Sequence, residues 1–173
     1  MNKYQIIYAD PPYSYRNKKT GGSMISGSEA KYPVMSIDEI CALPIKRIAD
    51  KNSALFLWVT CPMQREGMAI MDAWGYQYKT KIYWRKIMSL GMGFWFRGQV
   101  EELWLGIHGE VKAFRKQVPN FIQTKVLKHS EKPVEFRELI ESVDLKPRIE
   151  LFARQKVGGW DCWGNEVESD IEL

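Results

Sequence analysis

One apolar run, Ala54–Thr60, constrains the fold more than any other stretch of the chain. It reads Ala-Leu-Phe-Leu-Trp-Val-Thr and contains no charged residue. A continuous apolar run of this length is typical of a strand that is covered on both faces. Pro62 is predicted to open a helix that continues to about Trp74 and ends at Gly75. Because Tyr76–Trp84 is predicted to be a further strand, this part of the chain indicates a β-α-β unit.

The other predicted elements continue the alternation of strands and helices. They are a strand at Tyr4–Ala9, a helix that begins in the capping box Ser36–Glu39 and is interrupted by Pro44, a strand at Leu103–His108, a strand at Val111–Arg115, a loop or edge piece at Pro119–Lys128, a helix from Ser130–Pro133 to about Val143, and a strand at Arg148–Phe152. This order predicts an α/β fold with one doubly wound, mostly parallel sheet. With 173 residues and no linker, the chain is predicted to be one domain, residues 1–173.

Composition limits the classes of protein to which the chain can belong. Aromatic residues reach 13%, which suggests a planar ligand or a large aromatic core, and the net charge of +4 permits a polyanionic partner without requiring one. Cys41, Cys61 and Cys162 are widely spaced and only two histidines are present, so neither a disulfide framework nor a metal site is expected. The chain has no apolar run of membrane length and no signal pattern, so we expect a cytoplasmic protein with no membrane partner.

A stiff corner, Asp10–Tyr13, follows the first predicted strand directly and reads Asp-Pro-Pro-Tyr. Each proline fixes its own φ and biases the preceding residue away from helix, so the corner holds a carboxylate, two carbonyls and a ring in place. These groups suit a planar substrate with a weakly reactive amino group, because the ring can stack on the substrate and the oxygens can accept hydrogen bonds from its N–H groups. An ordinary strand-to-loop turn explains the same four residues.

Lys132 is predicted to lie in the first turn of a helix, where its charge opposes the helix dipole. An anionic ligand group at that helix start, such as a carboxylate or a phosphate, would explain the position, and a solvated lysine is the alternative. Glu150 and Arg154 flank the end of a predicted strand. We expect them to contribute to a binding site only if they face the same cleft as Asp10, since a surface ion pair by itself contributes little.

Several motifs in fixed order point to one family. They are Asp10–Tyr13, Tyr32-Pro33, Met35-Ser36, Leu55–Thr60, Trp74-Gly75-Tyr76, Trp84 with Lys86, Gly93-Phe94-Trp95 with Glu101, His129-Ser130, Lys132-Pro133, Glu150-Leu151-Phe152 with Arg154, Trp160, and Gly164-Asn165. In these motifs the chain is similar to the adenine-N6 methyltransferases of the family that contains the catalytic subunit of the eukaryotic mRNA adenosine methyltransferase and many bacterial and phage DNA enzymes. Each motif is weak alone, whereas their order over nearly the whole chain is specific.

The resemblance implies a Rossmann-like class I methyltransferase fold in which the acceptor-base motif precedes the cofactor-strand motif, a circularly permuted order. It implies that Asp10, Pro11, Pro12 and Tyr13 are catalytic: the Asp10 carboxylate and the Pro11 carbonyl accept hydrogen bonds from the adenine N6, and Tyr13 stacks on the ring. The chemistry of the residues agrees. The N6 lone pair is delocalised into the purine, so two acceptors on its hydrogens favour attack on an electrophilic methyl group.

The resemblance also implies S-adenosyl-L-methionine as the cofactor. Its methionine ammonium is assigned to Asp10 and its carboxylate side to Ser130 and Lys132. The ribose and its neighbourhood are assigned to Arg154, Asn165 and Glu166, and Glu150 is placed with the cofactor-binding group. Where the family often has Gln after the Asn, this chain has Glu166, whose oxygens suit ribose hydroxyls.

On the substrate side, we expect aromatic contacts to a flipped base and basic contacts to phosphates. The candidates are Tyr32, Trp58, Trp84, Lys86, Arg97, Glu101, Lys18, Lys19 and Arg85, and core packing is the alternative for Trp58. The segments 14–31 and 85–98 are predicted to be binding loops. DNA is favoured over RNA because the chain has the size of compact prokaryotic or phage members. An RNA methyltransferase, or a non-catalytic nucleic-acid-binding subunit, remains the alternative, and a homodimer or a second subunit stays open.

Overall fold

The computed structural model describes residues 3–14, 34–87, 95–112, 118–126 and 131–173, which build one mixed sheet with helices on both faces. In chain order the elements are β1 (Tyr4–Ala9), α1 (Ile37–Ala42), α2 (Ile45–Ile48), β2 (Ala49–Val59), a 3-10 turn (Cys61–Met63), α3 (Gln64–Trp74), β3 (Gln77–Ile87), β4 (Val100–His108), β5 (Phe121–Lys125), α4 (Val134–Glu141), β6 (Arg148–Leu151) and β7 (Asp161–Trp163). Within these ranges, none of the helices has the length and apolar character needed to cross a bilayer.

The strands of the described sheet follow the order β5-β3-β4-β2-β1-β6-β7. β4 is antiparallel to both of its neighbours, β2 and β3, and the other pairings are parallel. The predicted mostly parallel α/β sheet is therefore confirmed, with the correction that one strand near its middle runs in the opposite direction. β3 and β4 are consecutive along the chain and pair directly with each other, an arrangement that antiparallel strands allow without a crossover between them.

The core lies on both faces of the sheet, as the apolar run in β2 predicts. Leu55, Leu57 and Val59 pack toward α1, α2 and α3. Phe56 and Trp58 pack toward α4 on the opposite face. Each of these five side chains is at most 2% exposed, so the alternation of a strand places consecutive apolar residues in two separate clusters.

The helix boundaries follow from local sequence signals. Ser36 caps α1 through a complete capping box, in which its hydroxyl accepts the N–H of Glu39 at 3.2 Å and the Glu39 carboxylate accepts the Ser36 N–H at 2.8 Å. Pro44 follows the end of α1 and is the N-cap residue of α2. Gly75 ends α3 at φ 84°, a conformation that other residues adopt only with strain.

Several elements differ from the prediction, among them β3, which continues to Ile87, and β4, which begins at Val100. β2 begins at Ala49, since its first residues are polar but extend the pairing. α4 begins at Val134, so Lys132 precedes the helix rather than lying in its first turn. β7, which follows Gly158 and Gly159, is a further short strand and pairs with β6. Residues 111 and 112 do not belong to a strand, and the rest of the predicted strand at Val111–Arg115 lies outside the described residues.

The topology sets where a site can form. Because β4 runs opposite to the other strands, its first residues lie at the same edge as the last residues of the others. Asp10 after β1, Phe152 after β6 and Gly164 after β7 therefore lie at the same edge of the sheet as Glu101 at the start of β4. Asp10 and the residues after Phe152 thus lie at the edge at which ligands bind in sheets of this type.

Candidate active site

Four charged side chains of alternating sign meet at this edge of the sheet. The Lys132 ammonium lies 2.7 Å from the Asp10 carboxylate and 3.6 Å from the Glu101 carboxylate. Lys86, near the end of β3, donates a hydrogen bond to the other oxygen of Glu101. The four side chains are between 17% and 26% exposed, so they form a partly desolvated charge cluster that is still open to a ligand. Lys132 and Asp10, predicted to share one crevice, are thus in direct contact.

The electrostatics of this cluster favour the ionised forms of Glu101 and Lys132. Burial acts to raise the pKa of Glu101, but the ammonium groups of Lys132 and Lys86 outweigh burial and hold that pKa below its ordinary value. Burial likewise acts to lower the pKa of Lys132, and the carboxylates of Asp10 and Glu101 outweigh it and raise that pKa. Lys132, which precedes α4, therefore has the carboxylates of Asp10 and Glu101 as its anionic partners in this structure.

Two tryptophans form the floor beneath the lysines. The Lys132 ammonium lies 5.0 Å from the Trp58 ring centroid, and the Lys86 ammonium lies 4.9 Å from that of Trp84. The indole N–H of Trp58 donates to the Tyr8 hydroxyl at 2.7 Å. Both indoles are 2% exposed, so neither offers a face to a nucleobase. The prediction that they stack on the substrate is corrected to a supporting role, because strand alternation turns both rings into the core.

The Asp10 corner is held by its own hydrogen bonds. The Pro11 carbonyl accepts the Tyr13 N–H at 2.9 Å, and the Pro12 carbonyl accepts the Met35 N–H at 3.0 Å. The Tyr13 hydroxyl donates to the Trp58 carbonyl at 2.7 Å, and the Tyr13 side chain lies in the core at 7% exposure, so its ring packs in the core rather than standing open for the predicted stacking on a base. The corner is therefore rigid. A carbonyl oxygen has two lone pairs, so Pro11 can still accept a hydrogen bond from a ligand.

A cavity of about 350 Å³ opens beside Asp10, on the side of the sheet that α1 covers. It is lined by Asp10, Pro12, Met35, Leu43, Phe152, Ala153, Arg154, Trp163, Gly164, Asn165 and Glu166. The Arg154 guanidinium lies 3.5 Å from the Glu166 carboxylate, and both side chains are more than one third exposed. The predicted cofactor residues Asp10, Arg154, Asn165 and Glu166 are thus brought together around one space.

Close contact between two strand-end loops forms one wall of this cavity. A Cβ atom on Gly164 would lie 2.5 Å from the Ala153 carbonyl oxygen, so only glycine fits at position 164. The Ala153 N–H donates to the Trp163 carbonyl at 3.0 Å, which ties the loop after β6 to β7. Phe152 adopts a φ of 60°, a left-handed conformation that costs roughly 1–3 kcal/mol for a residue other than glycine. Backbone strain at a cavity wall is common at ligand sites.

Glu150 is placed apart from the cavity, which corrects its predicted grouping with the cofactor residues. Its carboxylate accepts a hydrogen bond from Arg137 of α4 at 2.6 Å. Burial raises the pKa of Glu150, against the opposing effect of Arg137. The Arg137 guanidinium also lies 5.0 Å from the Trp160 ring centroid. Glu150 therefore faces α4, and sequence reasoning missed Arg137 because nothing in the local pattern distinguishes it from a solvated helix residue.

The remaining candidates divide into exposed residues and residues without a described position. Arg97 is exposed beside Trp95 and Phe96, whose side chains are 86% and 82% exposed. Lys18, Lys19, Tyr32 and Ser130 lie outside the described residues, as does most of the two predicted binding loops. Sequence reasoning missed Met35, Leu43 and Trp163 as cavity residues, since apolar residues at strand and helix ends look like core.

The chain matches a family model described as MT-A70 over residues 4–166. The chain belongs to the MT-A70 family. This confirms the resemblance that the motifs carry, and the matched range includes every element of the site from β1 to Glu166.

Three curated relatives show what the MT-A70 chain is similar to. Type II methyltransferase M.MunI from a Mycoplasma species is 30% identical, and the match covers 99% of this chain and 81% of the relative. N6-methyladenosine RNA methyltransferase MTA1 from Pyricularia oryzae is 27% identical over 95% of this chain and 47% of the relative. N(6)-adenine-specific methyltransferase METTL4 from Homo sapiens is 26% identical over 95% of this chain and 37% of the relative. The chain thus spans most of the first relative and less than half of the other two.

Proposed function

We propose that this chain is a methyltransferase that uses S-adenosylmethionine to methylate the N6 amino group of adenine in DNA. The observation that carries the proposal is the position of Asp10. Its side chain lies in the charge cluster with Lys132, and the residue also lines the cavity that holds Arg154, Asn165 and Glu166. A single carboxylate between a cofactor-sized cavity and an open edge can contact both reactants. We further propose that residues 1–173 act as one methyltransferase domain.

The cavity fits the cofactor in size and in chemistry. Its volume of about 350 Å³ lies at the lower end of the range for small-molecule sites, roughly 300–1,000 Å³. The Asp10 carboxylate suits an ammonium group, the Glu166 carboxylate suits ribose hydroxyls, and Arg154 and Asn165 supply hydrogen-bond donors. Bound there, S-adenosylmethionine would supply a methyl group on a positively charged sulfur. Ser130 and Lys132 stay proposals for its carboxylate, and Lys132 would share its ammonium with Asp10.

The chain's own residues orient and polarise the amino group of the base. The Asp10 carboxylate and the Pro11 carbonyl are two acceptors on one rigid corner, so they fix both N–H bonds of N6 and leave its lone pair aimed outward. Lys132 holds Asp10 in place from below, and the Tyr13 hydrogen bond to the Trp58 carbonyl fixes the corner. After methyl transfer the N6 nitrogen must lose a proton. The Asp10 carboxylate, which we propose binds N6, is the described group that can accept that proton.

Exposed groups at the same edge suit the rest of the nucleic acid. An adenine in a duplex must be flipped out at a cost of a few kcal/mol, and stacking on aromatic rings returns roughly 1–3 kcal/mol per base. Trp95 and Phe96 are the exposed rings near the start of β4, and Arg97 follows them. We propose that Arg97, Lys18, Lys19 and Tyr32 contact the nucleic-acid strand. We also propose that Lys86 and Glu101, as members of the charge cluster, lie next to the flipped base.

DNA is the favoured substrate because the relative named as a type II methyltransferase shares most of its length with this chain. RNA is the second candidate, since another relative is named as an RNA methyltransferase. Both polymers present the same amino group, so the charge cluster and the Asp10 corner alone do not distinguish them.

A methyl-transfer assay with matched DNA and RNA oligonucleotides tests the proposal. Wild-type protein, Asp10→Asn and the exposed control Asp144→Asn are incubated with S-adenosylmethionine carrying a labelled methyl group. We expect N6-methyladenine in DNA from the wild type and from the control, and a loss of at least 100-fold for Asp10→Asn, the size expected when a catalytic hydrogen-bonding group is removed. Methylation of RNA alone would move the assignment to RNA. Binding of both polymers without transfer would indicate a non-catalytic subunit.

A further inference from the structure

The basic residues of this chain are concentrated in two segments. Residues 73–100 contain five Lys and Arg and no Asp or Glu, and residues 111–130 contain another five and again no Asp or Glu. The rest of the chain has 15 basic residues against 21 acidic ones, so it is net negative. The two segments include β3 and β5, which pair with each other at one end of the sheet. Among the described residues, β3 and β5 therefore carry Lys79, Lys81, Arg85, Lys86 and Lys125 and no carboxylate of their own.

One face of this strand pair is open to solvent. Tyr83 pairs with Phe121, and Arg85 pairs with Gln123. The Arg85 guanidinium donates to the Gln123 side-chain oxygen at 2.8 Å, which shows that both side chains lie on the same face. Phe121 is 50% exposed, and Arg85, Gln123 and Lys125 are exposed as well. No helix of the described ranges therefore covers this part of the face, whereas the opposite face carries Trp84 in the core.

The open face alternates aromatic and basic groups. The Lys81 ammonium lies 5.2 Å from the Tyr83 ring centroid. Tyr83 pairs with Phe121 on β5 and is followed on the same face of β3 by Arg85. A carboxylate near this row, Glu102, is buried and already pairs with Lys81 at 3.0 Å. Proteins that bind single-stranded nucleic acid without sequence preference contact the phosphates with cationic side chains and stack aromatic rings on the bases. An apolar protein partner would leave the Arg85 and Lys125 charges without water or counter-ion.

We propose that this surface, formed by Lys81, Tyr83, Arg85, Phe121, Gln123 and Lys125 and here called the β3–β5 face, binds the nucleic acid away from the reacting adenine. The proposal rests on the proposed function, because it assigns a second contact region to the same substrate. It predicts that part of the affinity comes from nucleotides that never enter the catalytic pocket.

The sheet geometry sets the distance between the two regions. β3 is the third strand from β1 and β5 is the fourth, and strands lie about 4.8 Å apart, so the β3–β5 face is roughly 14–19 Å from the strand that leads to Asp10. That span equals about four to six nucleotides at 3.4 Å per base-pair step. Both β3 and β5 run in the same direction as β1, so Arg85 and Lys125 lie near the edge at which Asp10 lies. One strand can therefore follow that edge from the pocket to the face.

Binding measurements with substrates of two lengths test this proposal. The proteins are wild type, the double variant Arg85→Gln/Lys125→Gln, the single variant Phe121→Ala, and the control Lys51→Gln, an exposed lysine near the start of β2 at the opposite edge of the sheet. Fluorescence anisotropy is read over a range of salt concentrations, with labelled DNA and RNA of about 30 nucleotides and of about 6 nucleotides around a central adenine.

For the long oligonucleotide, the double variant should bind more weakly, and its slope of log K against log salt should fall by about 1.4 to 1.8, since each lost phosphate contact removes about 0.7 to 0.9. Phe121→Ala should weaken binding about fivefold or more through lost stacking. For the short oligonucleotide, which does not reach the face, both variants should match the wild type within twofold. Lys51→Gln should match the wild type on both.

Several results would overturn the proposal. One is a double variant with the affinity and salt slope of Lys51→Gln on the long oligonucleotide. Another is an equal loss on long and short oligonucleotides, which would place the two cations at the pocket. A change in oligomeric state of the variants by light scattering, without a change in nucleic-acid binding, would assign the face to a second protein chain. Because these readouts need no methyl transfer, failure of the proposed activity is recognised separately in the oligonucleotide methylation assay.

Discussion

The sharpest prediction concerns Lys132, whose ammonium neutralises two carboxylates at once. In Lys132→Met the side chain keeps much of its apolar volume, while the ion pairs to Asp10 and Glu101 and the contact above Trp58 are lost. Removing one partner of a buried ion pair costs about 3–5 kcal/mol. Since the side chains here keep 17% to 26% of their exposure, we expect the free energy of unfolding to fall by about 2–3 kcal/mol. For a domain of this size that corresponds to a lower Tm by roughly 5–10 °C.

The pH dependence gives this prediction a sign. The folded-state pKa of Glu101 is lowered, so its stabilising contribution is present above the unfolded value of about 4.3 and is lost as pH falls through the folded value. The pKa of Lys132 is raised, so its contribution is present below about 10.4 and is lost as pH rises through the folded value. The difference between wild type and Lys132→Met should therefore be largest between about pH 5 and pH 10 and should shrink on both sides.

Urea unfolding at a series of pH values measures both the size and the sign. The matched control is Lys156→Met, which removes a lysine that pairs with Asp170 at 2.8 Å but whose side chain is 50% exposed. Exposed pairs contribute little, so the control should lose clearly less stability than Lys132→Met does. If Lys132→Met loses no more stability than Lys156→Met, or if its loss does not vary with pH, the four charges do not form a coupled cluster and the electrostatic reasoning is wrong.

Three further predictions concern the cavity wall and the local structure. Gly164→Ala should weaken binding of S-adenosylhomocysteine by calorimetry at least tenfold, because its Cβ would collide with the Ala153 backbone, whereas Gly158→Ala, with nothing within 4 Å, should not. Ser36→Ala should lower the free energy of unfolding by about 1 kcal/mol in urea through loss of the capping box. A lysine ammonium, a thiol and a backbone N–H hold the pKa of Asp170 at about 2, so Asp170→Asn should be less stable than wild type at neutral pH, with the difference fading in thermal scans as pH falls from about 4 toward 2.

Much of the fold was predictable because local signals and the global topology agree. The apolar run in β2, the capping box at Ser36 and the glycine at position 75 each specify one element, and each element forms as predicted. The position of Asp10 at the carboxyl edge followed from the order of strands alone. Such predictions succeed when the residues that decide a feature are close together in sequence.

The parts that failed depend on contacts between distant segments. Burial of Trp58 and Trp84 is decided by which face of the sheet α4 covers, and the sequence of either strand does not contain that information. Glu150 was grouped with the cofactor residues because of its neighbours in sequence. In the structure its carboxylate pairs with Arg137 of α4, away from the cavity. The left-handed Phe152 has no composition signal, since strain of this kind is imposed by the surrounding structure.

The reversed strand β4 explains how a small sheet assembles this charge cluster. If β4 were parallel to its neighbours, Glu101 near its first residue would lie at the amino edge, separated from Asp10 by the length of the strand, about 30 Å for nine residues. Because β4 runs backwards, Glu101 pairs across from Trp84 and meets Lys132 beside Asp10. β3 and β5 run in the same direction as β1, so the cations of the β3–β5 face lie toward the same edge of the sheet as the acceptors of the Asp10 corner.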